Sequence, residues 1–360
     1  MSGLPWGGSE AFWSARAFES IEKGLRVFVS VYDWGTDTHP KINELRQKGA
    51  QIHLRERFSH DVPLAKKLSR FLQNCIKSLN TQWNALLDFN PDEVFISQGD
   101  NFDLTLHHYD LYQLLLKHKI PYSFICHNHR QYSTIPEKEI YPRGQEVFKN
   151  AQKVYFVSHR QWRLTERQLC MKIPNGQFTF NPLNLINNEL IPYPSAQIPQ
   201  MAVVANLISG KGHDTLFEVL SQAPWPQRHW QLNIYGKGYG LQYLHDLATY
   251  FGISHKICFC GHVGSATEIW QKNHILLIPS AGEGLPISLV EAAISGRTSV
   301  VTDVGGNTEI ITDNENGFVA CAPTPHSFAE ALERAWVRKD EWQVLGKKCV
   351  EKIHEFSRQQ

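Results

Sequence analysis

Short apolar runs alternate along this chain with amphipathic stretches and turn residues. That rhythm suits strands and helices following one another. In the first half strands are predicted at 25–31, 50–54, 93–97, 121–126, 153–158 and 177–180. Helices are predicted at 10–22, 40–48, 60–90, 104–118 and 159–168. In the first of them Ala11, Phe12, Ala15 and Phe18 share one face, and Gly24 stops it. Prolines then crowd 184–200 and the helical period disappears, as in a linker. After it the rhythm restarts. Strands are predicted at 201–205, 230–235, 256–259, 275–278, 298–302 and 318–320. Helices are predicted at 213–221, 239–250, 265–271, 286–295, 306–311 and 326–337, with a last one at 340–355. Alternation in both halves predicts an α/β protein with two doubly wound parallel sheets. The expected domains are 1–190 and 201–339, joined by 191–200.

Composition narrows the partners. A chain of 360 residues is too long for one ordinary core. Its 36 basic and 35 acidic residues give no general field for nucleic acid, and no such partner is expected. Seven cysteines, at 75, 126, 170, 258, 260, 321 and 349, lack zinc-type spacing and are odd in number. Free thiols in a reducing compartment fit that usage, and Cys258 and Cys260 are expected to pack in the core. No signal-peptide pattern opens the chain, and no apolar run reaches the roughly 20 residues of a membrane span. The expected location is cytoplasmic, with peripheral contact at a membrane allowed.

The candidate chemistry centres on 278–293. A buried strand leads into a loop of small residues, then into a helix with Pro286 at its first position and Gly296 past its end. At the carboxyl edge of a parallel sheet, free N–H groups of that kind suit a phosphate. Glu283 and Glu291 frame the site. A diphosphate repels them, so their expected partners are hydroxyls of a sugar and a ribose. Helix-dipole complementarity would account for Glu291 alone but not for Glu283 within the loop. Lys211, in the loop after strand 201–205, can reach an anion at the same edge. Gly7-Gly8-Ser9-Glu10 is a second possible phosphate loop. His127 ends a strand and suits a polar contact to a sugar better than a metal. Trp6 and Trp34 lie in glycine-containing loops and could stack on sugars.

Taken together, Glu283-Gly284-Leu285-Pro286 with Glu291-Ala292, Gly261-His262-Val263, Pro279-Ser280, Asp303-Val304-Gly305-Gly306 and Asn316-Gly317-Phe318 follow a familiar order. The chain resembles the family-4 retaining glycosyltransferases of the GT-B fold, most specifically from about 201 to 346. The resemblance implies two Rossmann-like domains facing a cleft, with the last helix (340–360) packing back on the first. It implies a nucleotide-diphosphate sugar as donor, a glycan or lipid-linked acceptor, retention of anomeric configuration, and no metal or other cofactor. Surface polysaccharide or glycan synthesis is the implied setting.

The same resemblance assigns roles. Glu283 would hold the donor sugar's hydroxyls and Glu291 those of the ribose. Lys211 and the N–H groups of Leu285 and Pro286 would hold the diphosphate, with Gly284 beside them at the donor and Gly8 approaching from the other domain. His127 would touch the sugar, and Gly261 and Val263 would lie near the base. Two departures stand out. Asn206 replaces an arginine that usually pairs with the lysine. The family's first strand, which feeds the glycine loop, is missing before Trp6. Its loss is expected to leave unpaired backbone groups and apolar side chains in the sheet, from an upstream natural start or a remnant chain. The alternatives are an inactive sugar-nucleotide or glycan-binding protein and a sugar-nucleotide epimerase.

Overall fold

The structure is a computed structural model and describes residues 6–35, 39–55, 82–129, 138, 140–183 and 191–358. The chain divides into two compact units. One holds Met1–His127, Thr134–Phe156 and Thr165–Pro182; the other holds Asn128–Ser133, Val157–Leu164 and Leu183–Gln360.

In the first unit, helix α1 (Gly8–Glu22) leads to strand β1 (Phe28–Tyr32), α2 (Pro40–Gln47) and β2 (Gln51–Arg55). Then come α3 (Asn84–Phe89), β3 (Val94–Gln98), α4 (Asp103–Leu106), α5 (Tyr109–Lys117), β4 (Tyr122–Cys126), α6 (Ile140–Asn150) and β5 (Val154–Phe156). Helix α7 (His159–Leu169), whose residues as far as Leu164 belong to the second unit, and β6 (Gly176–Phe178) follow. Every pairing is parallel, but the strands form two separate sheets, β1-β2 and β3-β4-β5-β6. Strand β4 is buried along its whole length, as expected of a strand covered on both faces.

The second unit runs β7 (Gln200–Val204), α8 (His213–Ser221), β8 (Gln231–Tyr235), α9 (Leu241–Tyr250), β9 (Ile257–Gly261), α10 (Ala266–Trp270), β10 (Ile275–Ile278), α11 (Ile287–Ile294), β11 (Thr298–Thr302), α12 (Asn307–Ile310), β12 (Phe318–Ala320), α13 (Pro325–Val337) and α14 (Trp342–Ser357). Its sheet has the order β12-β11-β10-β7-β8-β9. That is a doubly wound sheet whose order reverses between β7 and β10. Apolar side chains from both faces build one core, including Met201, Phe217, Leu232, Leu277 and Phe328.

Several expectations are corrected. The helix expected at 104–118 is two helices, because the chain turns at His107 and His108, whose buried imidazole meets the Tyr32 hydroxyl at 2.9 Å. Most of the helix expected at 60–90 falls outside the described residues; its end is α3. Helix α6 was not among the predicted helices, and it buries Val147 and Phe148 completely. Cys258 is exposed and Cys260 half-buried, with their sulfurs 3.6 Å apart. They lie on β9, which among the described residues is the edge strand of its sheet. Helix α14 packs on α11, α12 and β11, and its Phe356 ring meets His159 edge-on at 6.2 Å. Gly346 makes the approach to α11 possible: a Cβ there would lie 2.0 Å from the Gly296 carbonyl oxygen.

Candidate functional site

In the second sheet β7 and β10 are neighbours, Met201 beside Ile275. The chain leaves β7 toward β8 on one side and leaves β10 toward β11 on the other. Their following loops, 205–212 and 279–286, therefore open a crevice at the carboxyl ends of the strands.

Close backbone contacts fix these loops. The Ala281 N–H donates to the Gly210 carbonyl at 2.8 Å. Gly212 has φ +72°, and a Cβ there would lie 2.1 Å from the Pro279 oxygen, so only glycine lets the loops meet. The Thr302 hydroxyl donates to the Ser280 carbonyl at 2.7 Å, and the Gly306 N–H to that of Gly284 at 2.6 Å. A Cβ on Gly305 would meet the Glu283 oxygen at 2.1 Å. The backbone carrying Glu283 is thus held from both flanks.

Out of this frame Lys211 and Glu283 converge. Lys211 Nζ donates to Glu283 Oε1 at 2.7 Å, with the lysine side chain 23% and the glutamate 10% exposed. Glu291 is buried in the second turn of α11, among Leu289, Val290, Ala292 and Ala293. Pro286 is the N-cap of α11, with φ −62° and ψ 125°, and not its first helical residue. Proline has no N–H, so the expected donation from Pro286 is corrected: Ile287 and Ser288 supply the unpaired first-turn N–H groups, next to Leu285. Asn206 is half-buried in the Lys211 loop.

One part of the site escaped the sequence reading. The loop 236–240 buttresses the Lys211 loop from behind. A Cβ on Gly236 would lie 1.9 Å from the Ala205 oxygen, and one on Gly238 would lie 2.2 Å from the Leu207 oxygen. The Leu207 N–H donates to the Lys237 carbonyl at 2.9 Å. The signal was there in the glycines at 236, 238 and 240, since alternating glycines mark close backbone approach. Gly261 ends β9 with φ +70°, and its carbonyl accepts from Gly236 N–H at 2.8 Å. Val263 lines a cavity of about 500 Å³ with Tyr235, Cys260 and Lys272. Strand β9 is two places from β7, roughly 10 Å along the sheet.

The first unit holds the other two predicted residues. Gly8 begins α1 behind an extended N-cap at Gly7, and the buried Glu10 carboxylate stands in that first turn, accepting from Ser9 Oγ at 2.7 Å. His127 follows β4. Its Nε2 lies 3.0 Å from Ser97 Oγ and its ring meets Phe12 edge-on. Desolvation pushes its pKa down to about 3, so the imidazole is neutral at neutral pH. Trp6 is stacked on His39 at 3.5 Å, which occupies one face of the indole. Among the described residues no three His, Cys, Asp or Glu side chains gather as metal ligands, and no helix is long and apolar enough to cross a membrane.

Known proteins share both halves of this description. The profile of the glycosyl transferases group 1 family matches residues 198–337. An uncharacterized glycosyltransferase of Methanocaldococcus jannaschii, MJ1607, is 35% identical over 29% of this chain and 27% of its own length. A second from that organism, MJ1178, is 23% identical over 73% of each. The chain spans between 27% and 41% of the length of three such curated relatives. The crystal structure of Anabaena Alr3699/HepE in complex with UDP and glucose superposes with a TM-score of 0.69 at 15% identity, covering 99% of this chain and 93% of that one. The fold is that of the GT-B glycosyltransferases. Residues 198–337, which carry the Lys211 and Glu283 loops, are similar to the glycosyl transferases group 1 family.

Proposed function

We propose that this protein transfers a sugar from a nucleotide-diphosphate donor to an acceptor hydroxyl. The observation that carries the proposal is the Lys211–Glu283 contact at the point where the second sheet reverses order. Lys211 and the first-turn N–H groups of α11 take the diphosphate, and neutralise it as it departs. Glu283 and Glu291 take hydroxyls. Solved structures of the same fold hold UDP with glucose and UDP-glucose, which favours a uridine nucleotide here. In this reading the anomeric configuration is retained by a front-face route, without a metal, on a glycan or lipid-linked acceptor in the cytoplasm or at the inner face of a membrane. Glycan or surface-polysaccharide synthesis is the setting. Asn206 favours one other reading, a donor-binding protein without turnover, because the residue beside Lys211 carries no charge.

Incubation with a panel of nucleotide sugars and simple glycan acceptors, followed by mass and anomeric analysis of products, tests the proposal. A new glycosidic bond of the donor's own configuration is expected. Tight UDP binding with neither transfer nor donor hydrolysis would move the protein to the binding reading.

A further inference from the structure

The edge of the second sheet carries a pair of thiols that sugar transfer does not use. Cys258 and Cys260 stand on β9 with their sulfurs 3.6 Å apart, Cys258 exposed and Cys260 half-buried. Side chains two residues apart on a regular strand rise from points roughly 6.6 Å apart. Here the strand is not regular. Cys258 pairs with Asn233 and Phe259 with Ile234, but Tyr235 pairs with Gly261, so Cys260 is an extra residue in the ladder. Such a bulge bends its strand and re-aims a side chain. The bend leans the Cys260 thiol onto Cys258, where it donates to the Cys258 sulfur and to the Cys258 carbonyl, each at 3.6 Å. Among the described residues β9 pairs with β8 alone, so no second ladder resists further bending.

The two thiols differ in chemistry. Burial, and then the neighbouring Cys258, pushes the Cys260 pKa up to about 11, so that thiol keeps its proton at neutral pH. A thiolate formed at Cys258 accepts the Cys260 S–H and is the sulfur that solvent reaches. In front of the pair lies the cavity of about 500 Å³, lined also by Asn233, Tyr235, Val263 and Lys272. It leaves room for a small co-reactant beside both sulfurs. The exposed Lys272 sets a positive charge at its wall, which favours an anionic one.

We infer that Cys258 and Cys260 are a site of reversible thiol–disulfide exchange with a small anionic disulfide of the glutathione class. The Cys258 thiolate, its proton lost to solvent, attacks one sulfur of the small disulfide. That S–S bond breaks, one small thiolate leaves, and Cys258 carries the other half as a mixed disulfide. Cys260 gives its proton to the departed thiolate and attacks the Cys258 sulfur. The second small thiolate leaves and takes a proton from solvent. Two electrons have then passed from the cysteines to the small disulfide, and two small thiols are released. A disulfide holds its β-carbons roughly 3.8 Å apart, so closure bends β9 further and the bond is readily reduced again. Gly261 directly follows Cys260 and accepts from the Gly236 N–H at 2.8 Å, so the bend reaches the loop behind Lys211.

The test holds the full chain in mixtures of oxidised and reduced glutathione, blocks the remaining thiols with N-ethylmaleimide and maps tryptic peptides by mass spectrometry. Residues 257–272 form one such peptide with both cysteines. It is expected to lose two hydrogens and both blocking groups in mixtures that leave the exposed Cys170 and Cys321 at least tenfold less modified. Excess reduced glutathione is expected to restore both thiols. Cys260→Ser should trap glutathione on Cys258, and Cys258→Ser should take it on Cys260 at least tenfold more slowly. In the oxidised chain the Gly236 amide should exchange hydrogen at least threefold faster, with 298–302 as internal control. A 257–272 peptide that stays fully blocked while Cys170 and Cys321 are modified would overturn the inference, whatever the variants do. A stable mixed disulfide on the unaltered chain would overturn the closure. Equal trapping by the two variants would overturn the role of Cys258, and unchanged exchange at Gly236 the link to the Lys211 loop.

Discussion

Lys211 and Glu283 are placed so that removing either should change nucleotide binding in opposite directions. At 2.7 Å, opposite unit charges in an effective dielectric of ~20 attract by about 6 kcal/mol, most of it offset by lost hydration. A nucleoside diphosphate arriving at Lys211 must share the ammonium with Glu283 and bear the carboxylate's repulsion. Lys211→Met removes one charge-assisted hydrogen bond, about 1.5–3 kcal/mol, and should weaken UDP by roughly 10- to 150-fold. Glu283→Gln keeps the shape, frees the ammonium and removes the repulsion. It should tighten UDP by about fivefold, on the order of 1 kcal/mol. The same change should cut sugar transfer by roughly 100-fold, since the charged acceptor for the sugar hydroxyls is gone. The double variant should bind UDP like Lys211→Met, because freeing a lysine that is absent gains little; the cycle is therefore non-additive. Calorimetric titration of UDP at fixed ionic strength reads all four forms, with circular dichroism confirming each fold. If Glu283→Gln weakens UDP as much as Lys211→Met, Glu283 serves to hold the lysine in place, and its assignment to sugar hydroxyls is wrong.

Three further outcomes follow from the second unit. Arg297 is 1% exposed and donates to the carbonyls of Ile191, Pro192, Trp270 and Asn273, with no carboxylate partner among the described residues, fastening the segment before β7 to the sheet. Arg297→Lys keeps the charge but loses the planar fork and should cost about 2 kcal/mol; Arg297→Met, which strands the carbonyls, should cost about 3–5 kcal/mol in urea denaturation. A Met variant as stable as the parent would rule the clamp out. His213 is 3% exposed, and burial pushes its pKa down to about 4, below the 6.5 of the unfolded chain. The unfolded state then binds more protons between these values. Stability is complete above about pH 6.5 and falls by up to ~3 kcal/mol as pH drops toward 4; His213→Gln should flatten that slope in melts across the range. Gly212→Ala should cost ~2 kcal/mol or more and loosen UDP, since its Cβ collides with Pro279. Gly210→Ala, with φ +85° and open space around it, should cost only about 1 kcal/mol, a difference read by thermal melts of the two.

Much of the fold could be read from residue pattern because the buried strands are short apolar runs closed by turn residues. β10, β11 and β12 fall where the runs 275–278, 298–302 and 318–320 predicted them. Where the pattern failed, local chemistry and tertiary packing disagreed. Helix α6 carries Pro142 and Gly144 in its opening turns, which disfavour a helix, yet Val147 and Phe148 anchor it in the core. Cys258 and Cys260 sit at alternate positions, which identifies a shared face but not whether that face looks inward. Only the place of β9 at the end of the sheet decides it. The candidate site was readable in the same uneven way. Glu283 and Lys211 stand out as charges within small-residue loops, whereas the backbone grip of Gly236, Gly238 and Gly305 depends on contacts across strands far apart in sequence.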